Sequence, residues 1–451
     1  MDNYLLNQID FREKTFLEVF SEVQSYVAEN FSKLITEQET DKTKEQLKNT
    51  VKKYLTDRKL KAEELSLEET IEKLYSEMTE FSVLNAYLDP DRTDIEEINI
   101  NAWNDIKVSF SNGTTKSVEH FSGPRHCENI VRRVLNKESK MILDKSRPIV
   151  RGHLSNKIRI TVMGDGVVDK SIGLAASIRI VNPKSLDKSD FVQKGTATEE
   201  IISTLETLFR NGVSMCITGE TGCGKTTIMS HLLKQVPYKK RIFTIEEDVR
   251  EFDLVVYDKD GNVLNNVVHT CTRKSEDPSK VIDQEKLLET AMTMNPDVIC
   301  VAEMKGKESF AAQEAANTGH TVITTTHANG CRETYSRMED LCRLKVNLDS
   351  ATLRETLMKA FPIVAFVEKY EDNVRRITEI TECVWGEEGH SKIVTLYEYE
   401  IESSTKDEQG HIHYSGRFVK KNNISNRLIK LLLKRGVQKS EMCFLEKGDN
   451  Q

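Results

Sequence analysis

Val213-Ser-Met-Cys-Ile-Thr-Gly-Glu-Thr-Gly-Cys-Gly-Lys-Thr-Thr227 is the stretch whose reading decides the fold. Its apolar start reads as a strand, and the residues from Thr226 to Gln235 read as a helix. Between them Gly219–Thr226 matches GxxxxGK[ST]. Strand, glycine-rich turn and helix in that order are the context a phosphate loop requires. Gly219, Gly222 and Gly224 let the main chain curl, so that successive N–H groups through Glu220, Thr221 and Cys223 aim at phosphate oxygens. The helix start at Thr226 and Thr227 adds its dipole to the same anion. Lys225 is expected to reach the β- and γ-phosphates and Thr226 to offer its hydroxyl to Mg²⁺, so Gly219–Thr227 is read as an ATP site.

Binding a nucleotide is not hydrolysing it; that needs groups that place the cation and orient water. Strands and helices alternate after residue 197, which argues for a mainly parallel α/β sheet. Ligands of such sheets lie beyond the carboxyl ends of the strands. Three predicted strands end there in polar groups: Thr244-Ile-Glu-Glu-Asp248, Val298-Ile-Cys-Val-Ala-Glu303 and Thr324-Thr-Thr-His-Ala-Asn329. Glu303, closing an apolar strand, suits a cation or a water. Adjacent residues of one extended strand cannot face the same site, so Glu246 and Glu247 compete, with Glu246 favoured by position. His327 stands where it could read the γ-phosphate; His320 flanks the other end of its strand.

Further out, the chain reads as several parts. Residues 1–80 carry apolar steps of three and four (Phe16, Val19, Phe20, Val23; Leu47, Val51, Leu55; Ile71, Leu74, Met78), an extension of amphipathic helices with a capping box at Ser66–Glu69. Residues 81–185 mix strands with a helix near Cys127–Asn136, an α+β domain with a hairpin turn at Asn112-Gly113. A linker is expected over 186–196 after Asn182-Pro183, then the ATPase domain over 197–405 and a strand-and-helix appendage over 406–451. With 64 basic and 72 acidic residues in 451, a net charge of −8 supplies no overall pull toward nucleic acid or anionic membrane. No apolar run nears the roughly 20 residues of a membrane span, and the first residues lack a signal pattern, so a cytoplasmic place is expected. Nine scattered cysteines without a CxxC pair speak against a zinc ribbon.

Four segments in fixed order carry a family resemblance: GETGCGKTT at 219–227, RIFTIEED at 241–248, MNPDVICVAEMKGKE at 294–308 and TGHTVITTTHAN at 318–329. Together they resemble the type II/type IV secretion-system ATPase superfamily, and within it the tight-adherence (Flp) pilus-assembly and conjugation-type branch. The segments resemble that family's Walker A, "Asp box", Walker B and "His box". Leu88–Asn101 and Val374–Glu382 are similar to flanking family segments. The resemblance implies a RecA-like P-loop NTPase domain behind an α+β domain, and nucleotide contacts from His320 as well as His327. It implies basic residues reaching the phosphates, at the positions of Arg159, Arg179 and Arg273. It implies a hexameric ring, ATP with Mg²⁺ held by Thr226 and Glu303, and work done on an inner-membrane platform protein by a motor docked on the inner face of the membrane. Where the family commonly reads Thr-Ile-Glu-Asp, this chain has Glu247 in the Asp position, and Lys305 stands where an arginine is common.

The expected activity is ATP hydrolysis driving secretion, pilus assembly or conjugative transfer. The rival classes are a nucleic-acid motor on a RecA core, which the acidic balance disfavours, and a nucleotide-binding regulator of low turnover. No direct nucleic-acid binding is expected.

Overall fold

Strands that are apolar from end to end must be covered on both faces, and the fold is built on that demand. The computed structural model describes residues 11–36, 41–79, 81–89, 92, 94–139, 141–155, 158–180, 186–247, 250–275, 277–385, 391–408 and 410–446. Asp248, Asn156, Lys157 and the opening of the expected linker at Asn182-Pro183 lie outside the described residues. The chain divides into two compact units, Met1–Asn182 and Pro183–Gln451.

The first unit opens with β1 (Arg12–Lys14), α1 (Phe16–Thr36), α2 (Asp41–Arg58), β2 (Leu60–Ala62) and α3 (Leu67–Thr79). The apolar steps seen in the sequence meet as one core: Val19, Val23 and Val27 against Leu47, Val51, Leu55, Leu74 and Met78. Ser66 and Glu69 cap α3 reciprocally, at 2.8 and 3.2 Å. The parallel pairing of β1 with β2 was not expected from sequence, because three-residue strands carry no periodicity. Next come β3 (Ile95–Ala102), β4 (Asp105–Phe110), β5 (Thr115–Ser117), α4 (Pro124–Ser139), β6 (Ile149–Ser155), β7 (Ile158–Met163) and β8 (Ala175–Ile180). The strands form an antiparallel sheet in the order β5-β4-β3-β8-β7-β6. Ile130, Val131, Val134 and Leu135 of α4 join its buried residues in one core.

The second unit contains α5 (Lys188–Gln193), α6 (Glu199–Arg210), β9 (Met215–Gly219), α7 (Lys225–Lys234), β10 (Arg241–Glu246), β11 (Asn266–Cys271) and α8 (Gln284–Thr293). It continues with β12 (Val298–Val301), α9 (Glu308–Asn317), β13 (Thr321–Thr326), α10 (Cys331–Arg343), α11 (Ser350–Ala360), β14 (Ile363–Lys369), β15 (Arg375–Trp385), β16 (Ser391–Lys406), β17 (Ile412–Lys420) and α12 (Asn426–Lys434). One nine-stranded sheet runs β11-β10-β12-β13-β9-β14-β15-β16-β17. The first six strands are mutually parallel and the last three antiparallel. This is a RecA-like P-loop sheet. Met215 and Ile217 of β9 face a core shared with α6, α7 and α12, while Cys216 faces a second core with α9, α10 and α11. Thr198, Asp283 and Asp349 cap α6, α8 and α11 by accepting a backbone N–H, worth about 1 kcal/mol each.

Three expectations change. The segment 186–196 is not an open linker: Asp187 and Asp190 form a capping box on α5, and Phe191 is 2% exposed in the core of the second unit. The segment 406–451 is not an appendage: β17 extends the main sheet, and Leu428 and Leu432 pack in the core that holds Met215 and Ile217. No element is predicted between 330 and 362 from sequence, yet α10 and α11 lie there. Their apolar spacing (Tyr335, Met338, Leu341, Cys342) is diluted by Arg and Glu on the outer face.

Candidate functional site

β9 delivers the chain to the loop fully buried, and α7 carries it away. Gly219, Gly222 and Gly224 all have positive φ, at 145°, 78° and 97°. The first is dictated by a neighbour: a Cβ on Gly219 would sit 2.0 Å from the carbonyl oxygen of Val367 in β14. The Lys225 ammonium is buried and folds back into the loop, donating to the carbonyls of Gly219 at 2.8 Å and Glu220 at 2.7 Å. Burial pushes the Cys223 thiol up against the opposing pull of Lys225, so it is a packed neutral thiol. Thr226 and Thr227 lie half-buried in the first turn of α7.

A cleft of about 330 Å³ opens beside this loop, lined by Gly219, Glu220, Thr221, His327, Ala328 and Asn329. It exists because β13 is the direct neighbour of β9. The His327 ring bridges two strands. Its Nδ1 lies 3.0 Å from the Gly219 carbonyl oxygen and 3.4 Å from Lys225 Nζ, and its Nε2 lies 3.2 Å from Glu303 Oε1. With Nδ1 protonated the ring donates to Gly219; with Nδ1 bare it accepts from Lys225 and Nε2–H donates to Glu303. The threonine run explains why Glu303 is held there. Thr325 Oγ1 donates to the Ala302 carbonyl at 2.7 Å and Thr326 Oγ1 to the Met304 carbonyl at 2.9 Å, while Met304 N–H donates to the Thr325 carbonyl at 2.8 Å. Both residues flanking Glu303 are therefore pinned to β13.

Strand order separates the other acids. Strands lie about 4.8 Å apart, so β12 sits roughly 10 Å from β9 and β10 roughly 14 Å. Glu246, at the tip of β10, is 0% exposed. Its Oε1 accepts from Thr244 Oγ1 at 2.7 Å and lies 3.3 Å from His269 Nδ1; its Oε2 accepts from the N–H groups of Glu251 and of Phe252, the latter at 3.0 Å. These contacts occupy the carboxylate as a pin for the loop that follows. Glu247, the acid less favoured by position, is the less buried of the two and pairs with Lys305. A third acid, Glu251, was missed. It follows the first two by a loop and donates its N–H to Glu246, and its charge acts on the buried Cys300 thiol in β12.

The basic residues distribute unevenly. Arg159 and Arg179 belong to the first unit and are direct cross-strand partners in β7 and β8. Arg273 turns its guanidinium onto the Lys280 carbonyl, at 2.9 and 3.1 Å, beyond the edge strand β11. His320 immediately precedes β13, so roughly 23 Å of chain separates it from His327 at about 3.3 Å per residue. Its Nδ1 sits 2.9 Å from the Pro296 carbonyl oxygen, which removes it from the phosphate end. Arg375, not singled out from sequence, donates from Nε to the Gly222 carbonyl at 2.8 Å. Among the described residues no group of three or more His, Cys, Asp or Glu is placed to hold a metal ion.

With this geometry in hand, residues 127–423 match the family described as "Type II/IV secretion system protein". The chain belongs to this family. The secretion-system match begins inside α4 and ends just past β17, so it takes in both the Arg159–Arg179 pair and the phosphate loop. A putative conjugal transfer protein of Mycobacterium tuberculosis is 25% identical over 331 residues, covering 72% of this chain and 90% of that protein. The type IV secretion system protein PtlH of Bordetella pertussis is 34% identical over 162 residues, covering 35% of this chain and 46% of its own. Among solved structures, the pilus retraction motor PilT with bound ADP aligns with a TM-score of 0.48 at 17% identity, over 81% of this chain and 90% of that one.

Proposed function

We propose that this secretion-system family member is an ATP-hydrolysing motor that powers type II/IV secretion, pilus assembly or conjugative transfer. The observation that carries the reading is the contact chain from the phosphate loop through Lys225 and His327 to Glu303. It joins a polyphosphate cradle to an acid two strands away, so that the presence of a terminal phosphate is felt at the carboxylate. Lys225, now held by loop carbonyls, moves its donors to the β- and γ-phosphates. His327 then donates to the γ-phosphate, and Glu303 orients the attacking water. Glu247 and Glu251 supply further negative charge from the neighbouring strand tip.

Mg²⁺ would neutralise charge on the β- and γ-oxygens. Thr226 and Glu303 are the residues to hold it, and two protein ligands suit an ion that keeps most of its water and binds mainly through phosphates. The functional form is a homo-oligomer, a hexameric ring, working on a membrane platform protein from the cytoplasmic side. Support for a peripheral motor is that, among the described residues, no helix is long and apolar enough to cross a membrane.

The test is Mg-dependent ATP turnover by the purified chain. Lys225→Ala is expected to abolish ADP and ATP binding. Glu303→Gln should keep ADP affinity but lose turnover by about 100-fold or more, the scale of a positioned acid–base group. Turnover untouched by either change sinks the reading.

A further inference from the structure

The phosphate loop is gripped from the side opposite His327 by a hairpin whose two strands touch it at two places. In β14, Val367 pairs in register with Gly219. In β15, Arg375 donates from Nε to the Gly222 carbonyl, and its Cδ lies 3.3 Å from where a Cβ on Gly224 would stand. Gly222 and Gly224 are both in left-handed backbone, the conformation that turns this carbonyl away from the helix and toward the guanidinium.

The stem of Arg375 is itself fixed. Successive strand residues point to opposite faces, and the next one, Arg376, is buried at 6% exposure. Arg376 donates to both Asp372 oxygens, at 3.0 and 2.7 Å, and stacks on the rings of Tyr370 and Tyr399. The Tyr370 ring meets Tyr414 of β17 edge-on, with centroids 5.0 Å apart. The loop's outer carbonyl is thus tied, through one arginine, to the antiparallel half of the sheet.

We propose that Arg375 is a positioning residue that holds the phosphate loop in its binding curl and thereby sets the affinity for nucleoside di- and triphosphates. This rests on the nucleotide-site reading given above. A loop that is competent only part of the time binds more weakly in proportion to that fraction. Releasing Gly222 so that the competent fraction falls to about one tenth weakens binding about tenfold. Because ground state and transition state lose equally, KM rises while kcat stays.

The experiment uses the full chain, with ADP as the binding probe and ATP for turnover. Arg375→Ala is expected to raise the Kd for ADP and the KM for ATP about tenfold, with kcat within about twofold. Arg375→Lys, which restores a charged donor, should recover most of the affinity. Should Arg375→Ala fail to fold, Arg375→Gln keeps an N–H donor without the charge and should bind more weakly than Lys but still measurably. An unchanged Kd in a folded variant, or a lower melting point with Lys no better than Ala, overturns the proposal in favour of a structural role. Wild-type protein that binds no ADP refutes the nucleotide site and this inference together; wild type that binds, with Arg375→Ala binding equally well, refutes this inference alone.

Discussion

Glu246 and Glu247 are adjacent acids, and exchanging them one at a time separates a structural carboxylate from a working one. Glu246 is fully buried and accepts from Thr244 Oγ1, from Glu251 N–H and from Phe252 N–H. Hydrogen bonds to a charged acceptor contribute about 1.5–3 kcal/mol each, and a buried N–H left unpaired costs about 1–3 kcal/mol. The three are not additive, so Glu246→Ala should destabilise by about 4 kcal/mol. At about 2–4 °C per kcal/mol for a unit of this size, the melting point drops by about 8–16 °C. Glu246→Gln keeps the shape and one acceptor, but its amide meets N–H donors, and it should cost about half as much. Glu247 is 31% exposed with a surface partner in Lys305, so Glu247→Ala should stay within about 1 kcal/mol of wild type. The assay is thermal unfolding of the purified variants, with ATP turnover measured well below every transition. Glu246→Gln melting within about a degree of wild type while turnover is lost would show that this acid acts on the reaction itself, and the structural assignment would be wrong.

Gly219→Ala places a Cβ against the Val367 carbonyl oxygen at positive φ and should cost about 3–5 kcal/mol from strain and overpacking combined. Gly222→Ala meets nothing within 4 Å and should cost only about 1–2 kcal/mol of backbone strain; equal melting points for the two variants would contradict the close approach of β14. Burial alone would raise the Asp372 carboxyl, but hydrogen bonds from Arg376 and the Val374 N–H outweigh it and hold it below the usual range. A depressed acid contributes stability that is complete above its ordinary value near pH 4 and is lost as pH falls through the lower folded value. Asp372→Asn should therefore flatten the acid limb of a stability–pH curve below about pH 4; an unchanged limb would mean the pair with Arg376 is not linked to folding.

Much of the site was legible because it is local. The motif from Gly219 to Thr227 is recognisable from its own residues, and its flanking strand and helix fall within two residues of their expected ends. Glu303 and His327 were singled out by a rule about strand ends, and the strands before them, β12 and β13, are short, buried and bounded by helices. Arg375 and Glu251 escaped for opposite reasons. Arg375 lies 153 residues past the Gly222 carbonyl it holds, in a strand that points back antiparallel. Glu251 follows β10 by a loop, and its N–H is held by the buried Glu246 carboxylate, a contact that no local pattern announces.

From sequence alone came the phosphate cradle, the alternation that makes a parallel sheet, and the acids and histidine at strand tips, since each depends on residues near one another along the chain. Only the tertiary structure decided that β13 lies between the loop strand and β12, that Glu246 is sealed while Glu247 is not, and that His320 faces away. Those outcomes depend on strand order and burial, which arise when distant segments pair and exclude water, and no spacing within a single segment encodes them.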